Sequence, residues 1–350
     1  MKQINVNLQS NDFLNIKTIK LKGDSSLARD SVLIDNKLWS VYEDRIQTFD
    51  VNSLISREHP IKSNFTKIDY QRDNIWFYNF QLNNDVVQDA IPLSRYNLKD
   101  NKFVDYLEKD LHIGSNLLLY DDGDNALLAG GPKVYILNYS NQSIRPFKEF
   151  QSQVTGIYGN DSFVWFGTAG EGLIEYNKQN NTFKNYDEIG VSSGTISEIS
   201  FSDNRLIFNT GYEEELGLTV FDLNTNKWTN YQNEIQEYTG DYWVDQYQTI
   251  WVSVNLEDGN QELMYLDLNS NRWKPAKLKN VLLVYDILSF DSRIVLFCTD
   301  QGVFQLNKLT GETKPVIKYE NDETRIHRIN ANEFIIVSSQ GIYKLDVTGS

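Results

Sequence analysis

Few residues in this chain have the types and spacing that chemistry asks for. GVSSG at 190–194 fits the Gly-x-Ser-x-Gly pattern of a serine nucleophile. That pattern works where a strand turns sharply into a helix and lifts the hydroxyl clear of the backbone. Ser192 instead falls in a connection between strands, so a plain loop serine is expected. The three histidines are His59, His112 and His327. His59 and His112 fall in connections of neighbouring repeats and could approach each other, but two imidazoles without a third ligand make a poor zinc site. YDDGDNA (120–126) resembles a calcium loop in composition but lacks the glycine and glutamate positions of an EF-hand. It reads as an Asp/Gly turn.

GYEEELG (211–217) is the most acidic loop. Glu213, Glu214 and Glu215 cannot all point one way in extended backbone. A solvated charge run is the plain reading, and a docking spot for a cation or basic partner is the alternative. Tyr42, Tyr78 and Tyr212 stand where the chain leaves an apolar strand. They either pack between repeats or offer stacking faces to a sugar or peptide. With Asp258 of NLEDGNQE (255–262), the candidate ligand-binding set is Tyr42, Tyr78, Tyr212, Glu213, Glu214, Asp258, His59 and His112. No catalytic residue, metal ligand or cofactor is assigned.

Bulk properties narrow the partners. The chain has 350 residues and a formal net charge of −15. Gripping phosphates needs clustered Lys and Arg, so nucleic acid is not expected, and anionic membrane surfaces are disfavoured for the same reason. A neutral polar or cationic ligand is easier to accommodate, and the acidity itself favours solubility. Cys298 is the only cysteine and reads as a small buried hydrophobe in a strand. No run approaches the ~18 apolar residues of a membrane helix, so membrane insertion is not expected. MKQINVNLQSNDFLNIK shows no apolar signal core. The compartment stays open: cytoplasmic if Met1 is the native start, periplasmic or extracellular if a leader has been removed. A monomer is expected.

The elements that must position these residues announce themselves by repetition. An apolar run recurs around Trp39, Trp76, Leu128, Trp165, Ile207, Trp251, Leu296 and Ile336, with spacings of 37, 52, 37, 42, 44, 45 and 40. The mean is about 42, the size of a four-stranded propeller blade. Each unit reads as strands A, B, C and D, with the anchor in B. B strands such as FVWF and IVLF are apolar on both faces, as strands covered on both sides must be. The eighth unit stops after its C strand, while FLNIKTIKL (13–21) is a strand without a blade. The economical solution is that it completes blade eight, removing two open edges. The expectation is one all-β domain over 1–350, an eight-bladed β-propeller. Seven blades is the runner-up, with blade two the place to miscount.

VWFGTAGEGLIEYNKQNNTFKNY resembles the two-component-regulator propeller repeat. Trp165, Gly167, Thr168, Gly172, Leu173, Tyr176 and Phe183 match its pattern, and Asn177 stands where that family usually has Asp. CTDQGVFQLNKLTGET and SSQGIYKLD match more weakly. The resemblance implies a propeller, and in that family propellers are ligand-sensing ectodomains of membrane sensors. The chain as given shows no transmembrane run, kinase or second propeller, so the likeness bears on fold more than on a sensor role.

A–B and C–D turns are short, whereas B–C and D–A connections are long in several units: 79–93, 211–217, 255–262, 57–64, 107–116, 187–195 and 232–241. Loops longer than a connection needs, all on one rim, suggest that this rim binds something. The leading expectation is a non-enzymatic recognition or scaffold propeller that binds a partner protein, peptide or glycan through that rim. The alternative is a propeller-type lyase or hydrolase acting at the axial mouth with His59, His112 and nearby carboxylates.

Overall fold

Apolar runs of five or six residues, punctuated by turn formers, fold here into antiparallel strands joined by hairpins. The computed structural model describes residues 13–22, 28–60, 65–79, 93–106, 117–186, 195–211, 217–231, 235, 238–257, 259–267, 272–276, 281, 283–319 and 323–348. Among them are eight four-stranded sheets and no helix. Strands pair in sequence order within seven of the sheets, and the eighth joins the last three strands of the chain to the first, so every repeat is a blade and the fold is an eight-bladed β-propeller. The seven-blade alternative is excluded. Blade two is intact, with strands Lys67–Gln71, Asn74–Tyr78, Leu93–Asn97 and Lys102–Tyr106.

The N-terminal strand Ile16–Lys22 pairs antiparallel with the last strand Gly341–Val347, in register Ile16 to Val347, and supplies the fourth strand of blade eight. Gln305 of blade seven clasps the segment that leads into it: the Leu14 N–H donates to Gln305 Oε1 at 2.8 Å, and Gln305 Nε2 donates to the Leu14 carbonyl at 3.2 Å.

The B strands are the core. All six residues of Ile294–Thr299 are buried, Cys298 among them, and so are five of the six in Phe163–Thr168. The D strand Thr182–Asn185 is exposed throughout. Blades bury apolar faces against one another. Trp165, for instance, packs with Leu206, Phe208 and Phe221 of blade five.

Local chemistry explains the repeat signature. The Thr168 hydroxyl donates to the Gly172 carbonyl at 2.9 Å and accepts from the Glu171 N–H at 2.9 Å, closing the B–C turn. Thr299 repeats both bonds with Gly302 and Gln301, and Ser338 with Gly341 and Gln340. Gly302 holds φ +135°, and a Cβ there would meet the Ile317 carbonyl oxygen at 2.1 Å, so only glycine fits. At the C–D turn, Asn177 accepts the N–H of Gln179, and Asp50, Asn97, Asn138, Asp222 and Asn307 do the same in their blades. Asn substitutes for Asp because only the side-chain oxygen is used.

The chain divides into two compact units. One, Ala28–Gln236, holds blades one to five; the other, Met1–Leu27 with Glu237–Ser350, holds blades six to eight and the N-terminal strand.

Candidate functional site

Side chains two apart on a strand share a face. On the first strand of blade two, Asp69 and Gln71 therefore point together, towards the first strand of blade three, Leu118–Asp121. Gln71 bridges the two strands. Its Nε2 donates to Asp69 Oδ2 at 2.6 Å and to the Leu119 carbonyl at 3.2 Å, and its Oε1 accepts the Asp121 N–H at 2.7 Å. Similar lacing joins other first strands. Asp30 of blade one accepts the Ile68 N–H at 3.2 Å, and the Thr155 hydroxyl of blade four donates to the Ile196 carbonyl of blade five.

Between the laced strands of blades two to five lies a cleft of about 630 Å³. Asp69, Tyr78, Thr155, Tyr158 and Glu198 line it, together with Tyr120 and Arg72. It runs the length of the hairpins. Tyr78 pairs with Lys67 at the end where the long connections leave, while Arg72 sits in the short A–B turn at the other. The walls are strand residues, so their side chains are held by a rigid frame.

The two ends differ in charge. At the short-turn end Arg72 pairs with Asp161 at 3.1 Å. There Lys178 binds Asp122, the Tyr120 hydroxyl at 3.2 Å and the Asn160 carbonyl at 2.5 Å. At the Tyr78 end, burial pushes the Asp69 carboxyl above the usual range, and the Asp121 charge adds to that. Burial, then the charges of Asp69 and Asp30, raise the Tyr78 phenol. Burial also raises Tyr158, whose ring stacks on Phe201 with centroids 5.2 Å apart.

Asp121, from the candidate calcium loop, is a structural acceptor. It is 1% exposed. Its Oδ2 accepts Asn74 Nδ2 at 2.8 Å and Trp76 Nε1 at 3.0 Å, and its Oδ1 accepts the Gly123 N–H of the Asp/Gly turn at 2.8 Å. Among the described residues no group of three or more His, Cys, Asp or Glu is placed to hold a metal ion.

Of the candidate ligand-binding residues that are described, Tyr78 lines the cleft and Tyr42 and His59 do not, while Tyr120 and Asp121 of YDDGDNA line it as well. His59 does not sit in a D–A connection as expected: it lies in the D strand Ser56–Pro60, its ring stacked on Trp39 with centroids 5.5 Å apart. Pairing with Arg45–Asp50 carries this polar strand further than the turn formers around it suggest. Tyr42 is 3% exposed and lies under the Arg45 guanidinium at 4.4 Å, so its ring packs rather than presenting a free face. Leu93, read as loop, begins the C strand of blade two. His112, Tyr212, Glu213, Glu214, Glu215, Asp258 and Ser192 lie outside the described residues. Asp69, Gln71, Tyr158 and Glu198 belong to no motif in the sequence. Their one signal is that they occupy the strand preceding each anchor.

No family model matches the chain, and no curated protein matches it. Solved structures do. The chain is similar to the computationally designed Ika8 protein (TM-score 0.60, 13% identity, 94% of this chain and 98% of that one). It is similar to the extracellular domain of the putative one-component system BT4673 from B. thetaiotaomicron (0.52, 11%, 92% and 54%), about half of which it spans. It is also similar to virginiamycin B lyase from Staphylococcus aureus (0.50, 13%, 96% and 100%). At such identities the likeness shows the fold alone, and on that fold the neighbours include both the extracellular domain of a putative one-component system and a lyase.

Proposed function

We propose that this chain is a non-enzymatic recognition propeller that holds a segment of a partner protein, a peptide or a glycan in the cleft of blades two to five. The ligand enters from the rim where the long connections leave. The observation that carries this reading is the cleft itself. It combines about 630 Å³ of space, tyrosine side chains and a few fixed polar groups on rigid strands, the usual make-up of a ligand pocket. The resemblance of blade four to the two-component-regulator propeller repeat is in keeping with a ligand-reading role.

The test is a screen of the purified chain against peptide and glycan arrays, with hits titrated by fluorescence polarisation. The variant Tyr78→Phe/Glu198→Gln should weaken a hit by about tenfold, the equivalent of losing one or two good polar contacts, with the thermal melt nearly unchanged. A second variant replaces 81–90 by a tight turn. If that variant loses binding while the cleft variant keeps it, the ligand sits on the connections and the cleft assignment is wrong.

A further inference from the structure

We infer that the Tyr78 end of the cleft takes a cationic nitrogen, an alkylammonium or guanidinium group carried by the ligand, an inference that rests on the recognition reading above. The cavity supplies the space. Its polar groups supply the chemistry. Asp69 is held only by neutral donors, the Gln71 amide at 2.6 Å and the Tyr70 N–H. Among the described residues it has no ion-pair partner. A partly buried carboxylate with neutral neighbours gains most from a cation that brings its own charge into the low-dielectric wall.

The cations already present are committed elsewhere. Arg72 and Lys178 serve the short-turn end, on Asp161 and Asp122. Lys67 shares a strand face with Asp69 but is exposed and does not line the cleft. Arg95 is buried with its guanidinium 4.0 Å above the Tyr139 ring, and it does not line the cleft either. Asp121, whose charge reaches Asp69, bonds to the neutral donors Asn74, Trp76 and Gly123. The tyrosines complete the site. The Tyr78 hydroxyl has no hydrogen-bond partner among the described residues, and the Tyr78 and Tyr158 side chains line the same space. A phenol ring beside a carboxylate suits an ammonium or guanidinium, which binds the ring face and the carboxylate at once. A net charge of −15 steers cations inward.

Isothermal titration calorimetry on the full chain tests this with four probes. Blocked lysine and blocked arginine amides represent a peptide source, and spermidine a free amine. Nε-acetylated blocked lysine is the neutral control. The cationic probes should bind at least about tenfold tighter than the control, and more weakly as salt rises. Spermidine binding as well as the amides would favour a small amine, and amides alone a peptide. Asp69→Asn keeps an oxygen for Gln71 and should lose about tenfold, whereas Glu43→Gln, the same change in net charge at an exposed site, should lose less than about twofold. Tyr78→Phe keeps the ring and should lose an intermediate amount. Cationic probes that bind no tighter than the control, or an Asp69→Asn chain that binds like the parent, would overturn the inference. A neutral peptide or glycan that occupies the cleft while all cations fail would sink this inference and leave the recognition reading standing.

Discussion

Asp121 shows how one side chain can hold two blades. Its carboxylate takes donors from Asn74 and Trp76 of blade two while its own strand belongs to blade three. Asp121→Ala strands two buried donors. At about 1–3 kcal/mol for each orphaned group, the expected loss is about 2–6 kcal/mol by urea denaturation, with Asp121→Asn milder. A loss below about 1 kcal/mol would show that these donors find other partners. His327 on the first strand of blade eight sets a pH dependence. Burial, then repulsion from Arg325, lowers its pKa from 6.5 to about 4. The unfolded chain therefore binds the proton first, so this contribution is whole above pH 6.5 and fades as the pH falls towards 4. Melting temperatures between pH 7 and 4 should fall less steeply in a His327→Gln chain than in the parent. Equal slopes would assign the acid sensitivity to other groups.

At the scale of the element, the N-terminal strand decides most. It covers the edge of Gly341–Val347 and is clasped by Gln305. Removing residues 1–22 should lower Tm by more than about 5 °C and make the chain aggregate with concentration, because a bare strand edge recruits other strands. Gln305→Ala should cost about 1–3 kcal/mol by leaving the Leu14 backbone without its partner. A truncated chain that melts like the parent would mean the strand adds nothing. This element was legible in the sequence, as were all eight anchors, because apolar runs and turn residues are local signals that recur every forty residues or so. The cleft was not. Asp69, Gln71 and Asp121 meet across two repeats, and nothing local to any one of them marks the meeting. Loop length drew attention instead to residues such as His59, whose place in a strand is set by pairing with Ile46. Tyr78 was found because it ends an anchor strand, where strand and rim coincide.

At the scale of the whole molecule, the repeat predicts one domain over residues 1–350, and the expected outcome in calorimetry is one transition whose van't Hoff and calorimetric enthalpies agree. Two transitions that map to Ala28–Gln236 and to the remainder would instead make the two compact units separate cooperative bodies. The bond from the Thr348 N–H to the Asn15 carbonyl, at 2.9 Å, spans 333 residues of sequence. Synthesis is vectorial. At about 5–20 residues per second, the strand made first waits roughly 15–70 s for the strand made last. Through that interval Ile16–Lys22 lacks the strand it pairs with, and its unpaired edge is open to foreign partners. Moving that segment behind Thr348 by circular permutation would turn the most distant strand pairing among the described residues into a hairpin, and the permuted chain should refold faster with less loss to aggregates.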